Sequence, residues 1–217
     1  MERETQFLIA KEGFPFIGIG AFATIISYVS LGWGSTTTFL GLVTFFCIWF
    51  FRDPHRTVPE GHGLIVSPAD GVVVGIEKFY ESEFIQGPAL RVSIFLNVFN
   101  VHVNRIPVEG EVIGVFYNPG RFLAANVPKA SLENEQNKIV MQTPWSDKKV
   151  IVIQIAGLIA RRIVCHTRKG EKRKCGERFG LIRFGSRVDL ILPTGTALRV
   201  KVGDTVCGGE TIFGELR

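Results

Sequence analysis

The stretch Arg183-Phe184-Gly185-Ser186-Arg187-Val188-Asp189-Leu190-Ile191-Leu192-Pro193 carries both the fold and the chemistry of this chain. Its second half, Val188 to Pro193, is a strand-like aliphatic run closed by proline. Its first half holds a Gly–Ser peptide. A serine hydroxyl beside a glycine carbonyl is poised for an intramolecular acyl shift, because glycine leaves the carbonyl face open and tolerates strained backbone. Taken alone, a Gly-Ser pair is an ordinary turn. Here it lies between an arginine-studded stretch and a strand, on a chain whose front end suits a membrane.

Working outward, the same strand pattern recurs from Gly63 on. Leu64-Ile65-Val66, Gly71 to Ile76, Leu90 to Leu96, Val150 to Ile155 and Leu198 to Val202 are β-branched runs bounded by Gly, Pro, Asp or Asn. Arg121 to Glu135 is the only stretch expected as a short helix or long loop. Ser67-Pro68-Ala69-Asp70-Gly71 opens the domain, and Lys201-Val202-Gly203-Asp204-Thr205 closes it. Both are tight turns feeding strands, and they resemble those of sandwiched half-barrels such as biotinyl and lipoyl carrier domains. Carriers need a lysine at a hairpin tip, and neither turn presents one. The expected fold is mainly β: a half-barrel-like soluble domain, residues 57–217, after an apolar helical hairpin, residues 1–56.

The hairpin rests on two uncharged runs, Phe14 to Trp33 (20 residues) and Thr36 to Phe51 (16 residues), broken at Gly32-Trp33-Gly34-Ser35. A spanning helix needs roughly 20 apolar residues, so the first is long enough and the second marginal. Two helices and a tight turn return the chain to its starting side. Lys11, Arg52 and Arg56 place that side in the cytoplasm, at the cell membrane. Asp53-Pro54 is expected to end the second helix.

The formal net charge of +5 calls for an anionic partner, either acidic lipid or nucleic acid. Arg161 to Arg178 holds eight Lys or Arg and two Glu. Aromatic residues are not interleaved there, which argues against single-stranded nucleic acid and favours a phospholipid surface. The four cysteines have no paired short spacing, and Cys165-His166 with Cys175 is too scattered to define a metal site. No phosphate-cradling glycine loop is present. Among four histidines, His102 stands out. In Asn97 to Pro107, strand alternation would put Asn100, His102 and Asn104 on one face, either turned to water or walling a site. Asp70 sits in a turn that favours aspartate for its own backbone bonds.

Taken together, Ser67 to Gly71, Asn97 to Pro107, Ala156 to Arg162 and Phe184 to Arg187 resemble the phosphatidylserine decarboxylase family, in its short branch. The resemblance covers the soluble domain and the apolar front end. It implies that Ser186 attacks the Gly185 carbonyl, and that elimination and hydrolysis leave a pyruvoyl cofactor derived from Ser186. A β chain of residues 1–185 and an α chain of residues 186–217 would stay together because C-terminal strands, including Leu198 to Val202, complete one sheet. The cofactor would form a Schiff base with phosphatidylserine, an anionic phospholipid, and release phosphatidylethanolamine. Asp70 and His102 fall at acid–base positions of the family, with His166 in reserve. The longer branch has a second histidine where this chain has Arg105, so Arg105, with Asn104, is a candidate for substrate binding. A higher oligomer is compatible with this reading. The competing reading is a membrane-tethered carrier-like module whose chain stays intact.

Overall fold

The computed structural model describes residues 8–120, 134–144, 148–157, 162–183 and 185–216. The chain forms two compact units, Met1–His55 and Arg56–Arg217. Most of the Arg121 to Glu135 stretch, the Leu158 to Arg161 part of the Ala156 to Arg162 motif, and Phe184 lie outside the described residues.

In the first unit, α1 (Phe14–Leu31) and α2 (Ser35–Phe50) form a hairpin about Gly32, whose φ is +70°. Proline in the first turn of α1 lacks an N–H that would be unbonded there anyway. The helices meet on a seam of small and hydroxyl residues. Gly20 abuts Thr44, Ser27 Oγ and Thr37 Oγ1 are 2.8 Å apart, and Thr24 and Thr44 hydroxyls are 3.3 Å apart. Thr24 and Thr44 also donate to the carbonyls of Gly20 and Leu40, both at 2.8 Å. Phe22, Ile25, Val29, Phe39 and Phe45 point outward and exposed. Polar groups satisfied at the seam and apolar groups outside form the pattern a bilayer demands. One helical stretch, Lys11–Leu31, is long and apolar enough to cross; α2, at 16 residues, is shorter. α2 stops at Phe50, before the Asp53-Pro54 boundary expected from sequence. The Phe51 carbonyl and Asp53 N–H bond instead to Ala10 and Leu8, both at 2.7 Å.

The second unit is built of antiparallel strands in three sheets. The largest runs β12 (Thr205–Val206), β2 (Gly71–Glu81), β3 (Gly87–Leu96), β11 (Ser186–Pro193), β7 (Lys149–Ala156), β6 (Gln136–Gln142), β5 (Gly110–Asn118) and β9 (Lys172–Arg173). It curls into a half-barrel. A second sheet places β10 (Arg178–Ile182) between β4 (Val103–Arg105) and β8 (Ile163–Cys165), and β1 (Leu64–Val66) pairs β13 (Ile212–Glu215). One core joins all three through Ile65, Ile94, Val152, Phe179, Val188 and Phe213.

β11 lies mid-sheet between β3 and β7, buried along nearly its whole length. Val188, Leu190 and Leu192 enter the main core, while Ile191 enters a second cluster on the opposite face with Val140, Ile151 and Ile155. A strand covered on both faces is mostly apolar, and the two charges in this one, Arg187 and Asp189, are paired with each other.

Two strand expectations are corrected. Asn97 to Pro107 is extended only over Val103–Arg105. Asn97 Oδ1 accepts the Phe99 N–H at 2.8 Å and Asn100 Oδ1 the Asn97 N–H at 2.9 Å, which folds 97–100 into a turn and ends the alternation. Leu198 to Val202 is not a strand. Ala197 and Arg199 donate to Glu215 and Phe213 carbonyls, but Lys201 then turns back onto Asp204. The residues after 185 still join the large sheet through β11 and β12.

Gly180 of β10 lies so close to β8 that an added Cβ would stand 2.0 Å from the Val164 carbonyl oxygen. Gly180→Ala must push two strands apart. A loss of about 2 kcal/mol and a thermal midpoint lower by roughly 6 °C are expected in a calorimetric melt.

Candidate active site

The chain leaves β10 at Ile182 and enters β11 at Ser186, so three residues carry it from one sheet to another. Gly185 makes the turn at φ +62°, a left-handed conformation that L side chains avoid, with open space where a Cβ would be. Ser186 is fully buried. It shares the core-facing side of β11 with Val188 and lies opposite Leu96 and Ala156. Its Oγ has no hydrogen-bond partner among the described residues. Buried polar groups are nearly always bonded, so this orphan needs an explanation.

His102 immediately precedes β4, which pairs with β10, and that pairing carries the imidazole to the Gly185 peptide. The Gly185 N–H donates to His102 Nε2 at 3.3 Å, and His102 Nδ1 lies 2.9 Å from the Asn100 carbonyl oxygen. A carbonyl only accepts, so Nδ1 carries the proton and Nε2 is the acceptor of the Gly185 N–H, one peptide before Gly185–Ser186. The ring is 2 % exposed, so the water-facing alternative for this stretch is set aside.

Asp70 sits at the same end of the sheet. Val72 and Arg187 both lie opposite Phe95, so Asp70 and Gly185, each two residues earlier, are two strand spacings or about 10 Å apart. The Asp70 carboxylate accepts from Arg56 Nη2 at 2.8 Å and from the Gly208 N–H at 2.8 Å. Arg56 also reaches Glu210 at 3.3 Å and the Cys207 sulfur, and Glu210 accepts the Thr57 N–H at 2.9 Å. Arg105 is buried, its Nη1 donating to the Gly176 carbonyl at 3.1 Å and its stem packed beside Gly209. His166 is exposed. Asn104 is wholly buried and bonded through Oδ1 to Gln154 Nε2 at 2.8 Å.

The structure thus gathers Gly185, Ser186 and His102 at one junction and seats Asp70 across β3 from them. Sequence reasoning missed Arg56, Cys207 and Glu210 around Asp70, and Gln154 behind Asn104. Gln154 had a signal: it is the one polar residue in the apolar run Val150 to Ile155.

The family model for phosphatidylserine decarboxylase matches residues 43–214. A protein named phosphatidylserine decarboxylase proenzyme from Desulfotalea psychrophila is 51% identical, over 98% of this chain and 99% of that protein. Proteins of the same name from Syntrophus aciditrophicus and Nitrosomonas europaea are each 48% identical, over 95% and 96% of this chain and 96% and 95% of theirs. The family match and the relatives define an enzyme of the carboxy-lyase class. The chain belongs to the phosphatidylserine decarboxylase family.

Burial, reinforced by the Asp70 charge, pushes the Cys207 thiol up to about 11 despite the Arg56 guanidinium beside it. Burial and then Glu109 raise Cys175 to about 11 as well. Both remain thiols at neutral pH. Alkylation of Cys207 at pH 8 should run on the order of 100-fold slower than that of a free thiol and accelerate up to about pH 11, read by mass spectrometry of labelled peptides.

Proposed function

We propose that this chain is a self-processing pyruvoyl enzyme that decarboxylates phosphatidylserine to phosphatidylethanolamine at the cytoplasmic face of a membrane. One observation carries the reading. A left-handed Gly185 precedes a buried Ser186 hydroxyl that has no partner among the described residues, and His102 Nε2 is bonded to the Gly185 N–H, one peptide before Gly185–Ser186. An ordinary turn serine would bond to backbone or water.

In the first step His102 Nε2 releases the Gly185 N–H and takes the proton of Ser186 Oγ, which bonds to the Gly185 carbonyl carbon. Collapse of that centre breaks the bond from Gly185 carbon to Ser186 nitrogen. The nitrogen takes the proton back, leaving an ester. Loss of the Ser186 Cα proton then expels the Gly185 carboxylate from Cβ. The resulting dehydroalanine tautomerises, water adds and ammonia leaves. The products are a β chain of residues 1–185 and an α chain of residues 186–217. β11 remains hydrogen-bonded to β3 and β7 of the other chain, which supports a stable heterodimer.

The residues fit a pyruvoyl group at position 186: the site is buried, it faces the core, and it holds a polar atom with no partner to lose. Once formed, that group supplies the electron sink for the pair left behind as carbon dioxide departs. Leu96 and Ala156 on either side keep water away from it. His102 Nε2 holds the proton for the substrate α-carbon, and Asp70 is the second acid–base group. Arg105, with Asn104, is assigned to the substrate. The α1–α2 hairpin holds the enzyme at the bilayer, and exposed Arg168, Lys169, Lys172 and Lys174 suit an anionic lipid surface, at about 1 kcal/mol each.

Ser186→Ala should abolish both chain cleavage and release of carbon dioxide from phosphatidylserine vesicles. His102→Ala should slow cleavage by about 100-fold or more. A cleaved, active Ser186→Ala protein would end the pyruvoyl reading; wild-type rates in His102→Ala would remove the histidine from the chemistry.

A further inference from the structure

A second buried group near Ser186 also lacks a partner. Asn104 is 0 % exposed, and its Nδ2 has no hydrogen-bond acceptor among the described residues. Its orientation is fixed by a chain of side-chain amides. Gln154 Nε2 donates to Asn104 Oδ1 at 2.8 Å and points to the Val164 carbonyl at 3.5 Å, while Gln154 Oε1 accepts from Asn137 Nδ2 at 2.9 Å. The Val164 carbonyl can only accept, which fixes the NH2 end of Gln154 and, through it, the oxygen end of Asn104. The amide left over at Asn104 is a donor, held rigid and dry.

Its place in the fold brackets the reacting peptide. His102, two residues before Asn104, touches the Gly185 N–H. Gln154, bonded to Asn104, lies opposite Val188 on β7, and Val188 shares the core-facing side of β11 with Ser186. Asn104 therefore spans from the Gly185 end of the junction to the Val188 end, on the side toward which the Ser186 hydroxyl projects. Among the described residues, a hydroxyl and an amide donor without partners thus lie on the same side of β11 by register. An unbonded buried donor is costly, and such a cost is recovered when an acceptor appears.

We infer that Asn104 Nδ2 is the donor that stabilises the oxygen charge of the Gly185–Ser186 acyl shift. As Ser186 Oγ bonds to the Gly185 carbon and its proton passes to His102, the carbonyl π pair moves onto oxygen. The amide, held by Gln154, meets that charge without reorganising. Removing one such preorganised donor typically slows a reaction by 10²–10³-fold. The inference rests on self-cleavage at Ser186.

The test follows cleavage of the full-length chain, made by cell-free synthesis with lipid nanodiscs, by intact mass over time. Asn104→Asp keeps the shape and the bond from Gln154 but deletes the donor; Asn104→Leu deletes it without adding charge. Thermal melts score folding, and either folded variant decides the case. Both should cleave roughly 100-fold more slowly than wild type. Hydroxylamine, which attacks the ester once formed, should not restore the rate, because the deficit lies before the ester. Wild-type cleavage in a folded variant, or full recovery with hydroxylamine, overturns the assignment. Ser186→Ala is run alongside. Cleavage there would defeat the self-processing reading itself, whereas a blocked Ser186→Ala with a fast Asn104→Leu defeats only the role of Asn104.

Discussion

A buried serine hydroxyl with no partner among the described residues is an expensive object, and the strands of the second unit enclose one at Ser186. Ser186 is the first residue of β11, a strand covered on both faces and paired on both edges. The neighbouring strands deny it water, and the left-handed Gly185 denies it an ordinary turn bond. Leaving such a group unsatisfied costs about 1–3 kcal/mol, set against a core that reaches into three sheets. Local instability at this peptide is tolerated because everything around it is over-determined.

Charge is placed with the same economy. Arg187 and Asp189 form a buried bidentate pair on the face opposite Ser186, at 2.8 and 2.9 Å. That pair lies wholly within β11 and would survive a break at residue 185. Asp70 is tied to Arg56, which begins the second unit, and to the Gly208 N–H beyond β12. Residues far apart in sequence thus converge on the sheet end where Gly185 lies. Near the junction stand an imidazole protonated at Nδ1 and a chain of carboxamides, all neutral. Neutral groups suit a reaction that generates charge on oxygen in a dry site, since they stabilise it without a large solvation cost beforehand.

Much of this was legible in the sequence. The strand from Ser186 to Pro193 showed itself because burial on both faces favours apolar residues, here Val188 and Leu190 to Leu192. The α1–α2 hairpin showed itself because its apolar residues are unbroken but for Gly32-Trp33-Gly34. The Gly–Ser peptide and His102 were found from residue type and order. What escaped depends on distance in sequence or on local polar bonds. Arg56 bonds to partners 14 and 154 positions away, and no periodicity announces that. Asn97 and Asn100 cap their own turn, so alternation counted through them put His102 on a strand it only precedes. Leu198 to Val202 has strand composition, but Asp204 captures the Lys201 N–H and ends the pairing.

The central claim is that the Gly185–Ser186 peptide is made to break, and an intact mass spectrum of the purified wild-type chain under denaturing conditions tests it most directly. The account predicts two chains, residues 1–185 and 186–217, the smaller one lighter than its encoded mass, blocked to amine reagents and reactive toward a carbonyl reagent. A single chain of 217 residues from folded protein would contradict it.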